Sequence, residues 1–460
     1  MKIVSSIMLN GHKKEKQNAR ELLAVGYDPL IRAKGNIELL KKLSETTIGS
    51  LDRKVKHGSD LSFEEAFCGM CYVVAATNAS FEFAHHSLFE TACGGTFTKD
   101  RSLALASAFI NLMAAKESFK YLTHEEIAGM VSAAMMDNVI QIKVPRVIET
   151  CGMGGDKGYG TGHSRKKGIN ASTLASLVLS AVGLPSVKHG SYGNTSVVGS
   201  TEAIESFGAL TSMTSEEEVM RIMNTVGYCF FDAHWCKTIH DLSHLLMMET
   251  VNHVIGPMTP PLSPLTEINK LMGVNEKVHP ETIVKAYVLL HELEIQNIGG
   301  VVVVAGLAES GMGINSEDYD AVRQNTILDE LSPYASVVSV GFGSKHIGTF
   351  VMTPEDFGIK VDPKRIEFEN NQDVIYCANM AALHGTDPAL ADYLAMNSAL
   401  GLFAFEYAGK ADVVVDGKLN RSYLRECFLR CREAITTGRA VSVLVNYVRA
   451  SRGELLLTVI

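Results

Sequence analysis

The chain has 460 residues, 46% hydrophobic and 20% charged, an ordinary balance for a globular protein and enough length for two or three domains with a large core. A formal net charge of −9 and a pI near 5.9 argue against a general nucleic-acid-binding surface and fit small-molecule work better. No apolar run reaches the ~18 residues a membrane span needs. The apolar start Met1 to Leu9 runs at once into His12-Lys13-Lys14-Glu15-Lys16 without a signal-peptide core, so the expectation is a cytoplasmic protein.

Residues 1–60 are polar and poorly periodic apart from Asn36-Ile37-Glu38-Leu39-Leu40, and read as an N-terminal extension. From 61 to 144 the pattern is helical. Phe63-Glu64-Glu65-Ala66 opens one helix, Ala104 to Ala115 supplies another, and Thr123 with Glu126 starts a capping box before Ile127, Met130 and Val131. This predicts a small α-helical domain. Cys68 and Cys71, like Cys427 and Cys431, lie one helical turn apart with no partners at zinc-site spacing, and read as buried reduced thiols. His85-His86 project to different sides of a helix and predict no metal site.

Past Pro145 the pattern becomes α/β. Val147-Ile148, Ser186-Val187, Tyr228-Cys229-Phe230-Phe231 and Val301-Val302-Val303-Val304 are strand candidates, and Glu216 to Met223 and Pro280 to Leu293 suit the crossover helices of a mostly parallel central sheet. Asp387 to Ala408 and Ser422 to Thr437 read as closing helices, with Gly438 to Val448 as the end of the last one and its connection.

The stretch from Val147 to Gly208 carries the chemistry. After the first strand, the glycines of Gly152-Met153-Gly154-Gly155-Asp156 let backbone N–H groups close on an anion. Asn170-Ala171-Ser172-Thr173 then opens a helix with Leu174, Leu177, Val178, Ala181 and Val182 on one face. A second strand ends in Lys188-His189-Gly190, followed by a loop rich in Ser, Thr, Asn and Gly from Ser191 to Ser200. Donors from two loops and a lysine meet at the carboxyl ends of neighbouring strands, where open α/β sheets bind ligands, and they suit more than one phosphate.

These motifs resemble the anthranilate phosphoribosyltransferase family, of the fold group shared with pyrimidine nucleoside phosphorylases. The family pattern is GTGGD, NxST, KHGN and a serine-rich turn ending in GSS. Leu328-Asp329-Glu330-Leu331-Ser332 and Thr353-Pro354-Glu355-Asp356-Phe357-Gly358-Ile359 extend the resemblance, which covers most of the chain from about Glu125 onward. It implies a small helical N-terminal domain over 61–144, joined by part of 233–262, and a large α/β domain over 145–460. It also implies transfer of a phosphoribosyl group from phosphoribosyl diphosphate to an aromatic or heterocyclic amine, with Mg²⁺ as cofactor and a homodimer paired through the helical domain.

Carried over residue by residue, the resemblance assigns phosphoribosyl diphosphate to Gly152, Gly154, Gly155, Asp156, Asn170, Ser172, Thr173, Lys188, Ser196, Gly199 and Ser200. Lys188 would stabilise the leaving group's charge. The metal falls to Asp329 and Glu330, with the Ser172 hydroxyl completing one site. A competing acid, Glu309, directly follows the Val301 strand, and choosing Asp329 and Glu330 requires 310–326 to be an inserted surface loop. Two features depart from the family. Lys157 to Ile169 is longer than usual and carries His163-Ser164-Arg165-Lys166-Lys167, either a solvated face or a closure over phosphate. On the acceptor side, assigned to His189, Ser191, Tyr192 and Ser243, the carboxylate-binding arginine is replaced by Ser243, the KHGN asparagine is Ser191 and the next arginine is Tyr192. An anionic aromatic acid loses its bidentate partner, so the acceptor is expected to differ from anthranilate or to be held differently. The alternatives are a nucleoside phosphorylase, which needs no acidic metal pair, and a noncatalytic binding relative.

Overall fold

The computed structural model describes residues 46–77, 98–135, 142–160, 165–193, 197–213, 215–233, 240, 242, 245–246, 250–309 and 311–454. Asn36 to Leu40, His85, His86, His163, Ser164, Ser196 and Ser243 lie outside the described residues. The chain divides into two units. One comprises Met1–Val144, Ala233–Thr266 and Lys285–Asn297; the other comprises Pro145–Asp232, Glu267–Val284 and Ile298–Ile460.

The first unit contains α1 (Ile48–Lys56), α2 (Phe63–Thr77), α3 (Lys99–Phe119) and α4 (His124–Ala134). Helix α2 is apolar nearly all round, so it is buried against α3 and α4, and Cys68 and Cys71 are buried in that core. The expected capping box forms: Glu126 N–H donates to Thr123 Oγ1 at 3.3 Å and Thr123 N–H donates to Glu126 Oε2 at 2.9 Å. Glu126 is fully buried and also pairs with Lys116, which bonds Asp60 at 2.8 Å. Helix α1 was not expected within the polar extension. Ile48, Leu51 and Val55 give it one buried face among charged neighbours, a pattern too short to stand out in sequence.

The second unit is built on an eight-stranded sheet of order β3-β2-β1-β4-β5-β7-β8, with β6 beside β5. Its strands are β1 (Arg146–Gly152), β2 (Ser186–Gly190), β3 (Tyr228–Asp232), β4 (Glu267–Gly273), β5 (Asn297–Leu307), β6 (Thr326–Leu328), β7 (Ala335–Phe342) and β8 (Lys345–Met352). β1 pairs in parallel with β2 and β4, and β2 with β3. β5, β7 and β8 pair antiparallel, as do β5 and β6. The protein is therefore of mixed α/β class. After α5 (Ala171–Ala181) come α6 (Ser200–Ser206), α7 (Glu216–Val226), α8 (Asn252–Ile255), α9 (Pro280–Glu292), α10 (Tyr319–Asn325), α11 (Gln372–His384), α12 (Pro388–Glu406), α13 (Arg421–Thr436) and α14 (Arg439–Ser451); α5 covers β1 and β2 and packs against α12 and α14.

Four strands of this sheet, β4, β6, β7 and β8, fall outside the strand candidates read from sequence. β4 carries Asn269 and Lys270 at its centre, both fully buried, and this polarity hides it. Gly438 sits at φ +77 between α13 (Arg421–Thr436) and α14, so the stretch from Gly438 is a separate helix and not the end of the preceding one. The segment 310–326 is not a bare surface loop either. It holds α10 (Tyr319–Asn325), capped by Asp318, and Val322 with Ile314 packs on Leu307, Ala335 and Val337. The segment is closed at its base, where Ala308 N–H donates to the Asn325 carbonyl at 2.8 Å before β6 pairs back on β5.

Candidate active site

Strand β1 delivers the chain into the glycine loop at its carboxyl end, and Gly154 and Gly155 both adopt φ +67. The Gly154 amide donates to Asp329 Oδ2 at 2.9 Å, and Asn275 Nδ2 donates to the Gly154 carbonyl at 2.9 Å. A Cβ on Gly152 would lie 2.3 Å from Asp329 Oδ2, and one on Gly273 only 1.3 Å from the Asp329 carbonyl oxygen. Adjacent strands β1 and β4 thus end in two glycines because Asp329 packs directly over both.

Asp329 and Glu330 follow β6 and are held by their neighbours. Leu331 N–H donates to Asn397 Oδ1 at 2.9 Å, and Ser332 Oγ donates to the Leu307 carbonyl at 2.7 Å. The Tyr393 hydroxyl donates to Glu330 Oε1 at 2.9 Å. Burial raises the Glu330 carboxyl well above its ordinary range, and repulsion from Asp329 and Asp156 adds to this. Asp156 is pushed up to about 6 by burial and by Asp329, with Lys167 opposing the rise. Lys167 Nζ donates to both the Asp156 carboxylate and the Asp156 carbonyl, the latter at 3.0 Å. The inserted loop that carries Lys167 is pinned at its base: Tyr159 and Lys166 exchange backbone bonds at 2.9 and 3.0 Å, and Lys167 and Phe368 do so at 2.9 and 2.8 Å.

Glu309 is exposed just after β5, whereas Asp329 touches the glycine loop. Asp329 opposes the ionisation of Asp156 and Glu330, and the three form a set of hard oxygen donors with the Lys167 ammonium already on Asp156. That chemistry fits a hard divalent cation. Among the described residues, no group of three or more His, Cys, Asp or Glu side chains is arranged to hold a metal unaided. Oxygen atoms of a bound ligand would have to complete the coordination.

On the neighbouring strand, Lys188 is 1% exposed and its Nζ donates to the His189 carbonyl. Burial lowers its pKa to about 8, while Cys151 and Glu149 oppose the shift. Gly190 allows a close approach: a Cβ there would lie 2.5 Å from the Ser200 Cβ and 3.1 Å from Lys188 Nζ. The serine-rich loop is gathered by Glu202, which accepts from Gly193 N–H at 3.0 Å and from Gly199 N–H at 3.0 Å. At the start of α5, Asn170 N–H donates to Asn379 Oδ1 at 2.9 Å and Asn379 Nδ2 donates to Asn170 Oδ1 at 2.8 Å. Ser172 is half-buried in the first turn, and Thr173 Oγ1 is buried without a hydrogen-bond partner.

Of the expected acceptor residues, His189 is buried, and burial with the charges of Lys270 and Lys188 lowers its pKa to about 3, so its ring is neutral. Ser191 Oγ donates to the Tyr192 carbonyl at 3.1 Å, and the Tyr192 hydroxyl donates to Glu205 at 3.1 Å with 47% of the residue exposed. Beneath the site lies a feature the motifs do not reveal. Glu149 on β1 and Lys270 on β4 stand in register and form an ion pair with neither side chain exposed. Burial raises the Glu149 pKa, and Lys270 opposes that rise. Asn275, Asn379, Tyr393 and Asn397 were also missed. Only Tyr393 and Asn397 leave a trace in the sequence, as polar residues four apart on a largely apolar helix.

The glycosyl transferase family, a/b domain, matches residues 147–441, from the first strand to the start of α14. The chain belongs to the glycosyl transferase family. Within it, the chain is 27% identical over 288 residues to the anthranilate phosphoribosyltransferase of Saccharolobus solfataricus, covering 62% of this chain and 72% of that one. It is 24% identical over 399 residues to that of Methanobrevibacter smithii, covering 86% and 96%. The same fold occurs in anthranilate phosphoribosyltransferase from Saccharomyces cerevisiae, solved in complex with PRPP and Mg. That structure superposes with a TM-score of 0.62 at 18% identity, covering 89% of this chain and 99% of that one. The TPEDFG segment is a structural element: Thr353 and Asp356 cap a short turn, and Asp356 bonds Arg421 at 2.7 Å.

Proposed function

We propose that the protein is a Mg²⁺-dependent phosphoribosyltransferase, moving the 5-phosphoribosyl group from phosphoribosyl diphosphate to an aromatic or heterocyclic amine. The observation that carries this reading is the joining of the DE segment to the glycine loop through the Gly154–Asp329 bond. A carboxylate pair beside a phosphate-binding loop is what a metal–diphosphate complex requires, and a phosphorylase using one inorganic phosphate does not. Relatives with the same activity support it.

In the reaction, the acceptor nitrogen donates its lone pair to C1 of the ribose while the bond from C1 to the diphosphate oxygen breaks and its electron pair leaves with the diphosphate; the proton the nitrogen sheds passes to water. The chain's part is electrostatic. The glycine loop borders the site with its Gly154 amide on Asp329, and the first turn of α5, with Ser172 and Thr173, offers N–H and hydroxyl donors to the diphosphate. Lys188 adds a cation close to the serine-rich loop. Asp329 and Glu330, with Ser172, would hold the Mg²⁺, whose chemistry is to neutralise the charge that grows on the leaving group.

The acceptor half is the rewritten half. Ser191, Tyr192 and Ser243 stand where the family pattern has asparagine and two arginines, which supports an acceptor other than anthranilate or one held without a guanidinium. A homodimer paired through the helical unit completes the reading. Purified protein incubated with labelled phosphoribosyl diphosphate, Mg²⁺ and a panel of aromatic amines and nitrogen heterocycles tests it. Transfer to a panel member other than anthranilate is expected, and failure to bind the donor with Mg²⁺ present would overturn it.

A further inference from the structure

The inserted loop has a more specific role than its basic composition suggests. Lys167 does not lie on a solvated face: its side chain is 13% exposed and that of its partner Asp156 is 15% exposed. Its position is fixed by the two backbone bonds to Phe368. Its stem crosses Gly158, which has φ +65 and where a Cβ would lie 3.3 Å from Lys167 Cδ. The ammonium is delivered to Asp156, and its field also reaches Glu330. Lys166, next to it, faces Glu367 instead, at 3.5 Å.

We infer that Lys167 is the resident counter-ion of the carboxylate cluster in the free enzyme, and that it sets the enzyme's affinity for a divalent metal by competing for the same negative charge. This rests on the metal-dependent reading above. One ammonium on Asp156 balances only one of the potential charges of Asp156, Asp329, Glu330 and the nearby Glu276, so the cluster remains open to a divalent ion. A cation already at close range nevertheless weakens that ion's binding by direct repulsion and by holding Asp156. The metal then binds weakly alone and much better when a diphosphate brings compensating charge. Lys167 makes metal loading depend on donor binding.

The test is the affinity for Mn²⁺ without donor, read from loss of the free-ion electron paramagnetic resonance signal, in wild type, Lys167→Met and Lys167→Arg. Methionine keeps the apolar stem and removes the charge. Lys167→Met is expected to bind Mn²⁺ at least about tenfold more tightly than wild type, with Lys167→Arg close to wild type. In Lys167→Met, phosphoribosyl diphosphate should improve Mn²⁺ affinity by a smaller factor than in wild type. Unchanged or weaker Mn²⁺ binding in a folded Lys167→Met overturns the inference and leaves the phosphoribosyltransferase reading standing. If wild type binds no Mn²⁺ even with donor present, the metal-dependent reading fails and the inference falls with it.

Discussion

Asp329 Oδ2 accepts a hydrogen bond from the Gly154 amide at 2.9 Å across 175 residues of chain, joining two motifs that sequence alone leaves unrelated in space. Asp329→Asn combined with Glu330→Gln should lower turnover at least about 100-fold while circular dichroism stays unchanged, because the charge that compensates the leaving group is lost. Glu309→Gln, at the exposed alternative, should leave turnover near wild type. The reverse pattern in a steady-state assay would move the metal site to Glu309.

The backbone of Asp329 lies so close to β4 that Gly273 admits no side chain. Gly273→Ala would place a Cβ 1.3 Å from the Asp329 carbonyl oxygen, so one of the two segments must shift. A stability loss of about 1–3 kcal/mol or more is expected from chemical denaturation. A midpoint within error of wild type would show that the DE segment is less firmly seated than described.

How much of this could be read beforehand depends on whether a residue's partner is near it in sequence. The Thr123–Glu126 capping box, the apolar face of α5 and the glycine loop are local patterns, and they are legible. Strand β4 is not, because Lys270 makes sense in a sheet interior only once Glu149 is known to stand beside it. Lys167 was visible as one of several basic residues, but its selection over Lys166 needs the Tyr159–Lys166 and Lys167–Phe368 bridges. Helix α1 escaped notice because three apolar positions in nine residues carry little periodic signal.

The Glu149–Lys270 pair gives a prediction by double-mutant cycle. Removing one partner takes the ion-pair partner from a buried charge, so Glu149→Leu or Lys270→Met should each destabilise the protein by about 3–5 kcal/mol. Glu149→Leu with Lys270→Met should cost far less than the sum of the single effects. Additive losses in urea denaturation would show that the two groups do not depend on each other.

Lys188 should impose opposite pH dependences on ligand binding and on folding. Its pKa is about 8 in the fold against 10.5 when free, so between those values the unfolded chain holds a proton that the native one has released. Stability from this group therefore rises with pH across that window, by up to about 3 kcal/mol. Donor affinity, which uses the cation, should fall as pH rises through about 8. Calorimetric titration of phosphoribosyl diphosphate from pH 6.5 to 9.5 checks the second trend, and Lys188→Met should flatten it while weakening binding about 10- to 100-fold.

The bond between Ala308 and Asn325 has a consequence for how this chain can vary. The polypeptide leaves the sheet after Leu307 and returns at Thr326 through a closed neck, so length added to or removed from the exposed turn at Met312, outside the packed Ile314 and Val322, does not alter where Asp329 arrives. Lengthening or trimming such a segment changes its closure entropy only logarithmically. The number of residues between the Val301 strand and the acidic pair is thus free to drift while the geometry at the glycine loop stays fixed. Alignment by spacing would misplace the acids, and alignment by the neck would not.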